Sequence, residues 1–277
     1  MLKTACLLGF SRSAMYTGGR VDLLCWGRPQ IFPFFSYSKP NKVYFSTIIP
    51  TTKYGLFPFY YCMSTFHHTV ELVHHTNKGD ELVAYMARVS NPNNQNNTKT
   101  SARLIKYLIE HKHWSPFEMV NMCVEINTTR SIAAQILRHR SFSFQEFSQR
   151  YADATQLGTG VMPELRLQDT KNRQNSIEVE EEDLFLKDRI RYLYKHAQQV
   201  YEALLEAGVA KECARDVLPM STPTRMYMNG TLRSWLHYCD LRCANGTQKE
   251  HKLIADQCKQ LIAVCYPQVY AAVWSDV

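Results

Sequence analysis

The densest run of chemically capable side chains in this sequence is Arg138-His139-Arg140-Ser141-Phe142-Ser143-Phe144-Gln145-Glu146-Phe147-Ser148-Gln149-Arg150-Tyr151. Arginine presents a rigid fork of donors that matches phosphate oxygens two at a time. Serine hydroxyls add short donors, and Glu146 can accept from a sugar hydroxyl or a base N–H. Phe142, Phe144, Phe147 and Tyr151 offer planes for stacking or anchors for the segment. The combination suits a ligand that is anionic at one end and planar at the other, a nucleotide. A solvated face or an RNA contact would use the same residue types, so composition alone leaves three readings open.

The elements that must position this run can be read from periodicity. Residues 79–90 predict a helix, and Asn91-Pro92-Asn93-Asn94-Gln95-Asn96-Asn97 breaks it as a polar loop. Thr100 or Ser101 can cap a second helix to about His111, with Leu104, Tyr107, Leu108 and His111 on one face. Ser115-Pro116-Phe117-Glu118 interrupts it. Val120, Met122, Val124 and Ile126 alternate with more polar residues, a strand pattern. Thr128 or Thr129 caps a third helix bearing Ile132, Ala133, Ile136 and Leu137, which runs into Arg138. Residues 152–180 are polar and weakly periodic. A long helix is predicted at about 181–207, closed by Gly208, then a short one at 210–217 stopped by Pro219. Thr224–Met228 reads as a strand, and helices at about 231–243 and 249–265 finish the fold before Pro267. This order predicts an α+β fold: a helix-rich single domain with a small mixed or antiparallel sheet. No Gly-x-Gly-x-x-Gly follows a strand, so there is no Rossmann motif, and no phosphate-binding Gly-x-x-x-x-Gly-Lys loop is present.

Charge is uneven. Residues 1–62 hold seven Lys or Arg and a single acid, Asp22, which leaves 25 basic and 24 acidic residues in 63–277. The basic balance therefore belongs to the leader and is no argument for polynucleotide binding. Two origins fit that leader: an organelle-targeting segment, or upstream reading frame ahead of a start at Met63. The domain proper is expected at 63–277. No run of eighteen apolar residues predicts a membrane span. The nine cysteines show neither metal nor redox spacing, so free thiols in a reducing compartment are expected. That compartment is the cytoplasm, or an organelle if residues 1–62 are a transit segment.

Arg138-His139-Arg140, seven residues, then Ser148 resembles the signature of the flavin-dependent thymidylate synthases. Further blocks resemble that family in the same order. His111-Lys112-His113-Trp114-Ser115-Pro116-Phe117-Glu118 is similar to a segment whose hydroxyl contacts the flavin, with Met119 replacing a frequent histidine. Cys213-Ala214-Arg215-Asp216-Val217-Leu218-Pro219 resembles its Ala-Arg-x-x-Leu-Pro. Asn229-Gly230-Thr231-Leu232-Arg233-Ser234-Trp235-Leu236-His237 resembles a flavin-contacting stretch, with Thr231 in place of Asn. Asp240-Leu241-Arg242 carries the family's Leu-Arg; its sequel is altered to Cys243-Ala244-Asn245-Gly246, and Gln248 and Glu250 resume the pattern. The matches span about residues 80–270 and are weak at 152–180.

The resemblance implies FAD as cofactor, NADPH as reductant and methylenetetrahydrofolate as co-substrate for reductive methylation of dUMP. It implies flavin contacts at Ser115, Arg138, His139, Arg140, Glu146, Thr231, Leu232, Arg233 and His237, with His113 near the flavin. It implies nucleotide contacts at Gln135, Ile136, Leu137, Arg138, Glu146, Phe147, Ser148, Gln149, Arg150 and Arg215. Arg242 is implied to activate the pyrimidine, and a homotetramer with shared sites to assemble; no metal, nucleic acid or membrane is implied. Independently of the family, no cysteine follows a proline and none lies in the Arg/Ser run. An activated thiol needs an electropositive neighbour, and Cys243 beside Arg242 is the one candidate. The rival readings are a single-strand nucleic-acid or RNA binder using the Arg/aromatic run, and a metal hydrolase using His67, His68, His74 and His75.

Overall fold

The computed structural model describes residues 66–158, 160–180 and 183–275, and the leader, with both readings of it, lies outside them. Four strands form one antiparallel sheet: β1 (Thr69–His75), β2 (Asn121–Thr129), β3 (Phe142–Glu146) and, later in the chain, a strand at Pro223–Thr231. A second, two-stranded sheet pairs β4 (Leu167–Gln168) with β5 (Ser176–Ile177). The Pro223–Thr231 strand is therefore β6, and the main sheet runs β1-β2-β6-β3. Every pairing is antiparallel. The described residues build the expected small sheet, with no Rossmann crossover among them.

Side chains alternate across a strand, and here the alternation separates two chemistries. In the register Val124 faces Met228 and Ile126 faces Met226, and these with Met122 are fully buried. The intervening positions form a polar face, where Arg225 donates from Nε to Asn127 Oδ1 at 2.9 Å and lies 3.2 Å from Glu125. The apolar face joins one continuous core with helical side chains. These come from α1 (Gly79–Ala87), α2 (Ser101–Glu110), α3 (Arg130–Ile136), α6 (Leu232–Arg242), α7 (Lys249–Cys265) and α8 (Pro267–Trp274). Trp235 is buried there with its indole N–H satisfied by the Met122 carbonyl at 2.9 Å. α4 (Leu184–Glu206) and α5 (Lys211–Ala214) pack a smaller cluster around Tyr201 and Ala214.

Most predicted elements appear with shifted ends. The first helix stops at Ala87, and Ser115–Met119 is a 3-10 turn. Neither Thr100 nor Thr129 makes a side-chain cap bond. α4 begins where Asp183 accepts from the N–H groups of Phe185 and Leu186, and Gly208 beyond it takes φ 80°. Four features depart from expectation. β1 is an edge strand with a register shift between Leu72 and His74. β3 lies inside the Arg/Ser run, where no strand is expected, with Phe142 buried as an anchor, one of its two expected roles. Residues 152–180 contain the β4–β5 hairpin. Pro267 does not end the fold but opens α8, at the first-turn position where a missing N–H costs nothing. The buried carboxylate of Asp80 then accepts from the N–H groups of Gln268 (2.9 Å) and Val269 (3.2 Å), satisfying two orphan donors of that helix. Among the described residues no helix is long and apolar enough to cross a membrane.

Candidate active site

α3 ends at Ile136, so Leu137 to Ser141 form the link into β3. That link places His139 against α6. The Arg242 Nε–H donates to His139 Nε2 at 2.9 Å, joining residues 103 apart in sequence. An imidazole that accepts at Nε2 beside a guanidinium must be neutral, with its proton on Nδ1. Burial first, then Arg242 and His237, push the His139 pKa down to about 4. The ring is edge-packed on Tyr238 with centroids 4.9 Å apart, and on Phe142 at 6.5 Å. Arg242 thus has its Nε committed, and its remaining guanidinium N–H groups make no hydrogen bond with the described residues.

Behind this pair sits His251 of α7, fully buried. Its Nε2 meets the Tyr238 hydroxyl at 3.1 Å and its Nδ1 meets Gln135 Oε1 at 3.3 Å. Burial, Arg242 and His139 push its pKa down to about 3. Gln135 donates onward to Gln248 Oε1 at 2.6 Å.

A second cluster forms around Glu212. Arg150 donates to its carboxylate from Nε at 3.0 Å and NH2 at 2.9 Å. Arg215 donates from Nε to the Glu212 backbone oxygen at 3.2 Å. The two arginines expected to hold a phosphate therefore converge on one residue, which the sequence reading did not single out. Among the described residues no hydrogen bond or ion pair joins this cluster to the Arg242 cluster.

The other expected residues divide by what they can offer. Arg138, Arg140, Ser148 and Ser115 are exposed, and the Arg138 and Arg140 guanidinium groups carry no partner among the described residues. Glu146 is held by Arg130 NH1 at 2.7 Å and by the Thr224 hydroxyl at 2.9 Å. Arg233 is ion-paired with Glu118, and His237 is exposed. Thr231 caps α6 by accepting from the Ser234 N–H, so its hydroxyl serves the helix first. Ile136 and Leu232 are buried in the core, so only their backbone can meet a ligand. Leu137 is exposed, Phe147 is half-buried, and Gln149 is buried with Nε2 unsatisfied. His113 lies with His111 and Tyr107 in an aromatic group at the end of α2, where Tyr107 stacks on His111 at 4.0 Å. The cleft of about 630 Å³ lined by Arg88, Asn94, Arg103 and Tyr107 holds none of the residues expected to bind ligand.

The rival chemistries find less support. The histidines in and before β1 have separate partners: His68 bonds the Thr128 hydroxyl and His75 the Thr76 carbonyl. Among the described residues no three His, Cys, Asp or Glu side chains gather as a metal site. Cys239 and Cys258 are buried thiols with raised pKa, and Cys243 is lowered chiefly by its hydrogen bond with Cys239, not by Arg242. Cys243→Ala is accordingly expected to keep turnover within about threefold of the native rate, as for a residue that meets no reacting atom. Loss of all turnover with flavin still bound would point to a thiol nucleophile.

The depressed histidines also set a pH response. In the unfolded chain both would titrate near 6.5, whereas folded they resist protonation until about pH 4 (His139) and about pH 3 (His251). The unfolded state therefore binds more protons across that window, and the stability these groups contribute, complete above pH 6.5, is lost as pH falls toward 4. His68, lowered by burial, acts in the same direction. Urea midpoints should drop between pH 7 and pH 5, above the range of most carboxylates. A midpoint that is flat or rises over that interval would contradict neutral imidazoles at these positions.

Residues 71–268 match the model of the family described as thymidylate synthase complementing protein. The chain is 50% identical over 206 residues to the probable flavin-dependent thymidylate synthase of Paramecium bursaria Chlorella virus 1, covering 74% of this chain and 94% of that one. It is 49% identical over 193 residues to the flavin-dependent thymidylate synthase of Synechocystis, covering 69% and 87%. Among solved structures it is similar to the UMP/dUMP methylase PolB from Streptomyces cacaoi bound with 5-Br dUMP. That match has a TM-score of 0.66 and 28% identity, covering 74% of this chain and 93% of that one. The fold is thus that of a nucleotide methylase. The chain belongs to the flavin-dependent thymidylate synthase family.

Proposed function

We propose that the chain converts dUMP to dTMP, with methylenetetrahydrofolate as carbon donor and FAD, reduced by NADPH, as the source of hydride. The observation that carries this reading is Arg242, whose Nε is tied to a neutral His139 while its other donors remain uncommitted among the described residues. A guanidinium stays protonated at any working pH. Preset donors aimed at charge that develops only during reaction lower the barrier most when they need no reorganisation. Arg242 would do this for negative charge on the uracil ring, and His139 would hold Arg242 in place rather than touch the pyrimidine.

The donor set fits a flavin nucleotide. Arg138 and Arg140 present exposed guanidinium groups suited to a pyrophosphate, with Ser115, Arg233 and His237 as further polar contacts. Bound there, the flavin would supply hydride chemistry that side chains lack, while the protein orients and polarises. Arg150 and Arg215 would take the nucleotide phosphate, with Ser148 beside them and the Glu212 carboxylate displaced from Arg150. These sites would draw on several subunits of a homotetramer, a reading that agrees with the lack, among the described residues, of any hydrogen bond joining the Arg242 and Glu212 clusters. We further propose that residues 63–277 suffice for this chemistry.

The test is spectroscopic. Purified protein should show flavin absorption bands, bleach with NADPH, and recover colour under anaerobic conditions when dUMP and methylenetetrahydrofolate are added together. Colourless protein that binds polynucleotides with a steep salt dependence would replace this reading with the nucleic-acid one.

A further inference from the structure

The polar chain behind Arg242, which runs from exposed Gln248 to the buried ring of His251, has a direction. It begins at Glu250, whose carboxylate accepts from Arg166 NH2 at 2.8 and 3.0 Å and, being ionised, can only accept. Gln248, 2.9 Å away, must therefore turn its Nε2 toward Glu250 and its Oε1 toward Gln135. Gln135 must then donate from its own Nε2, at 2.6 Å, which leaves its Oε1 facing His251. That oxygen needs a proton on His251 Nδ1, and Nε2 of the same ring is left to accept from the Tyr238 hydroxyl. Each link permits one polarity, so the anchored carboxylate sets a histidine tautomer three side chains away.

We propose that His251 is a positioning residue for the nucleotide site, fixing the Gln135 amide so that its one uncommitted N–H is what it presents to the nucleotide. The site then reads a hydrogen-bond acceptor, a carbonyl or phosphate oxygen, at that position. A reversed amide would set its oxygen against the Gln248 oxygen, and would face the His251 N–H with its own NH2 unless the buried ring changed tautomer and the Tyr238 hydroxyl turned to accept. The depressed pKa of His251 and the raised pKa of buried Tyr238 keep both groups in the required states. Gln135 lies in the last turn of α3, three residues before Arg138, which follows that helix. The β4–β5 region takes part as well, because Arg166, the anchor of Glu250, immediately precedes β4.

The inference rests on the proposed function, in which Gln135 contacts the nucleotide, and the experiment separates the two. In the full chain, His251→Leu should raise the KM and the directly titrated dissociation constant for dUMP roughly tenfold, the scale of one neutral hydrogen bond. Turnover at saturating dUMP should change by less than about twofold, and flavin content should hold, which a general loss of packing would not produce. His251→Asn, which can still donate toward Gln135, should recover part of the affinity. In a Gln135→Ala background, His251→Leu should add nothing. If Gln135→Ala leaves dUMP binding unchanged, the nucleotide role of Gln135 falls and takes the inference with it. If Gln135→Ala weakens binding but His251→Leu does not, the inference alone is overturned. Nitrogen NMR of the unaltered protein should show His251 as the Nδ1–H tautomer, and an Nε2–H or doubly protonated ring would overturn the inference even if the variants fail to fold.

Discussion

Arg242→Ala should depress turnover by roughly a hundredfold or more, the scale seen when an oxyanion donor is lost, with little change in affinity for dUMP. The reason lies in when its charge is needed. A group that meets an anion growing only in the transition state lowers kcat when removed, whereas one that holds ground and transition states alike raises KM. Arg215 is the counter-case. It lies with Arg150 at Glu212, in the cluster assigned to a phosphate whose charge does not change during reaction. Arg215→Ala should weaken dUMP binding by about 1.5–3 kcal/mol, typical of a charge-assisted hydrogen bond, and leave saturated turnover nearly intact. NADPH should still reduce the flavin in both variants without dUMP. Steady-state kinetics and anaerobic flavin reoxidation would decide the matter. Equal losses confined to nucleotide affinity would remove the special role given to Arg242.

Gly230→Ala should cost about 1–3 kcal/mol of stability, the usual range for overpacking a tight core, and should lower activity too. Gly230 has no special backbone angle; its constraint is space. A Cβ there would sit 2.4 Å from Phe142 Cδ1 and 2.6 Å from Cε1. The ring cannot retreat freely, since its centroid is 4.8 Å from Trp235 and 5.9 Å from Tyr238. It is also edge-packed on His139, so a displaced Phe142 disturbs the support of Arg242. Phe142→Leu in the Gly230→Ala background should restore part of both losses by making room. A single Gly230→Ala variant with native urea midpoint and native turnover would show that the ring yields without consequence.

Motif spacing made the Arg/Ser run and the Leu-Arg pair legible, and alternation made β2 legible, because both signals are local. The missing parts are those whose cause is remote or masked. β1 lies at a sheet edge with Glu71 to His74 exposed, so no clean inside–outside contrast marks it. β3 does alternate, Phe142 and Phe144 inward and Ser143 and Gln145 outward, but the same residues carry the anion-binding motif that draws the eye first. Pro267 reads as a stop until the Asp80 carboxylate, far upstream, is seen to receive the N–H groups of α8. In the site, no spacing rule pairs His139 with Arg242 or Glu212 with Arg150. His251 did leave a trace, since it continues the apolar face formed by Ile254, Ala255, Cys258 and Ile262, an unusual place for an imidazole.

The strand order has a consequence for how the protein is made. β6 is the last strand of the main sheet to be synthesised, yet it lies between β2 and β3, which do not touch each other. Until residue 231 has emerged from the ribosome, β3 has no neighbour in that sheet and β2 has only an edge strand. The central pairings all close long loops, which slows their formation. A nascent chain must therefore carry β2 without its β6 partner through a long stretch of elongation, and that interval leaves the strand open to aggregation.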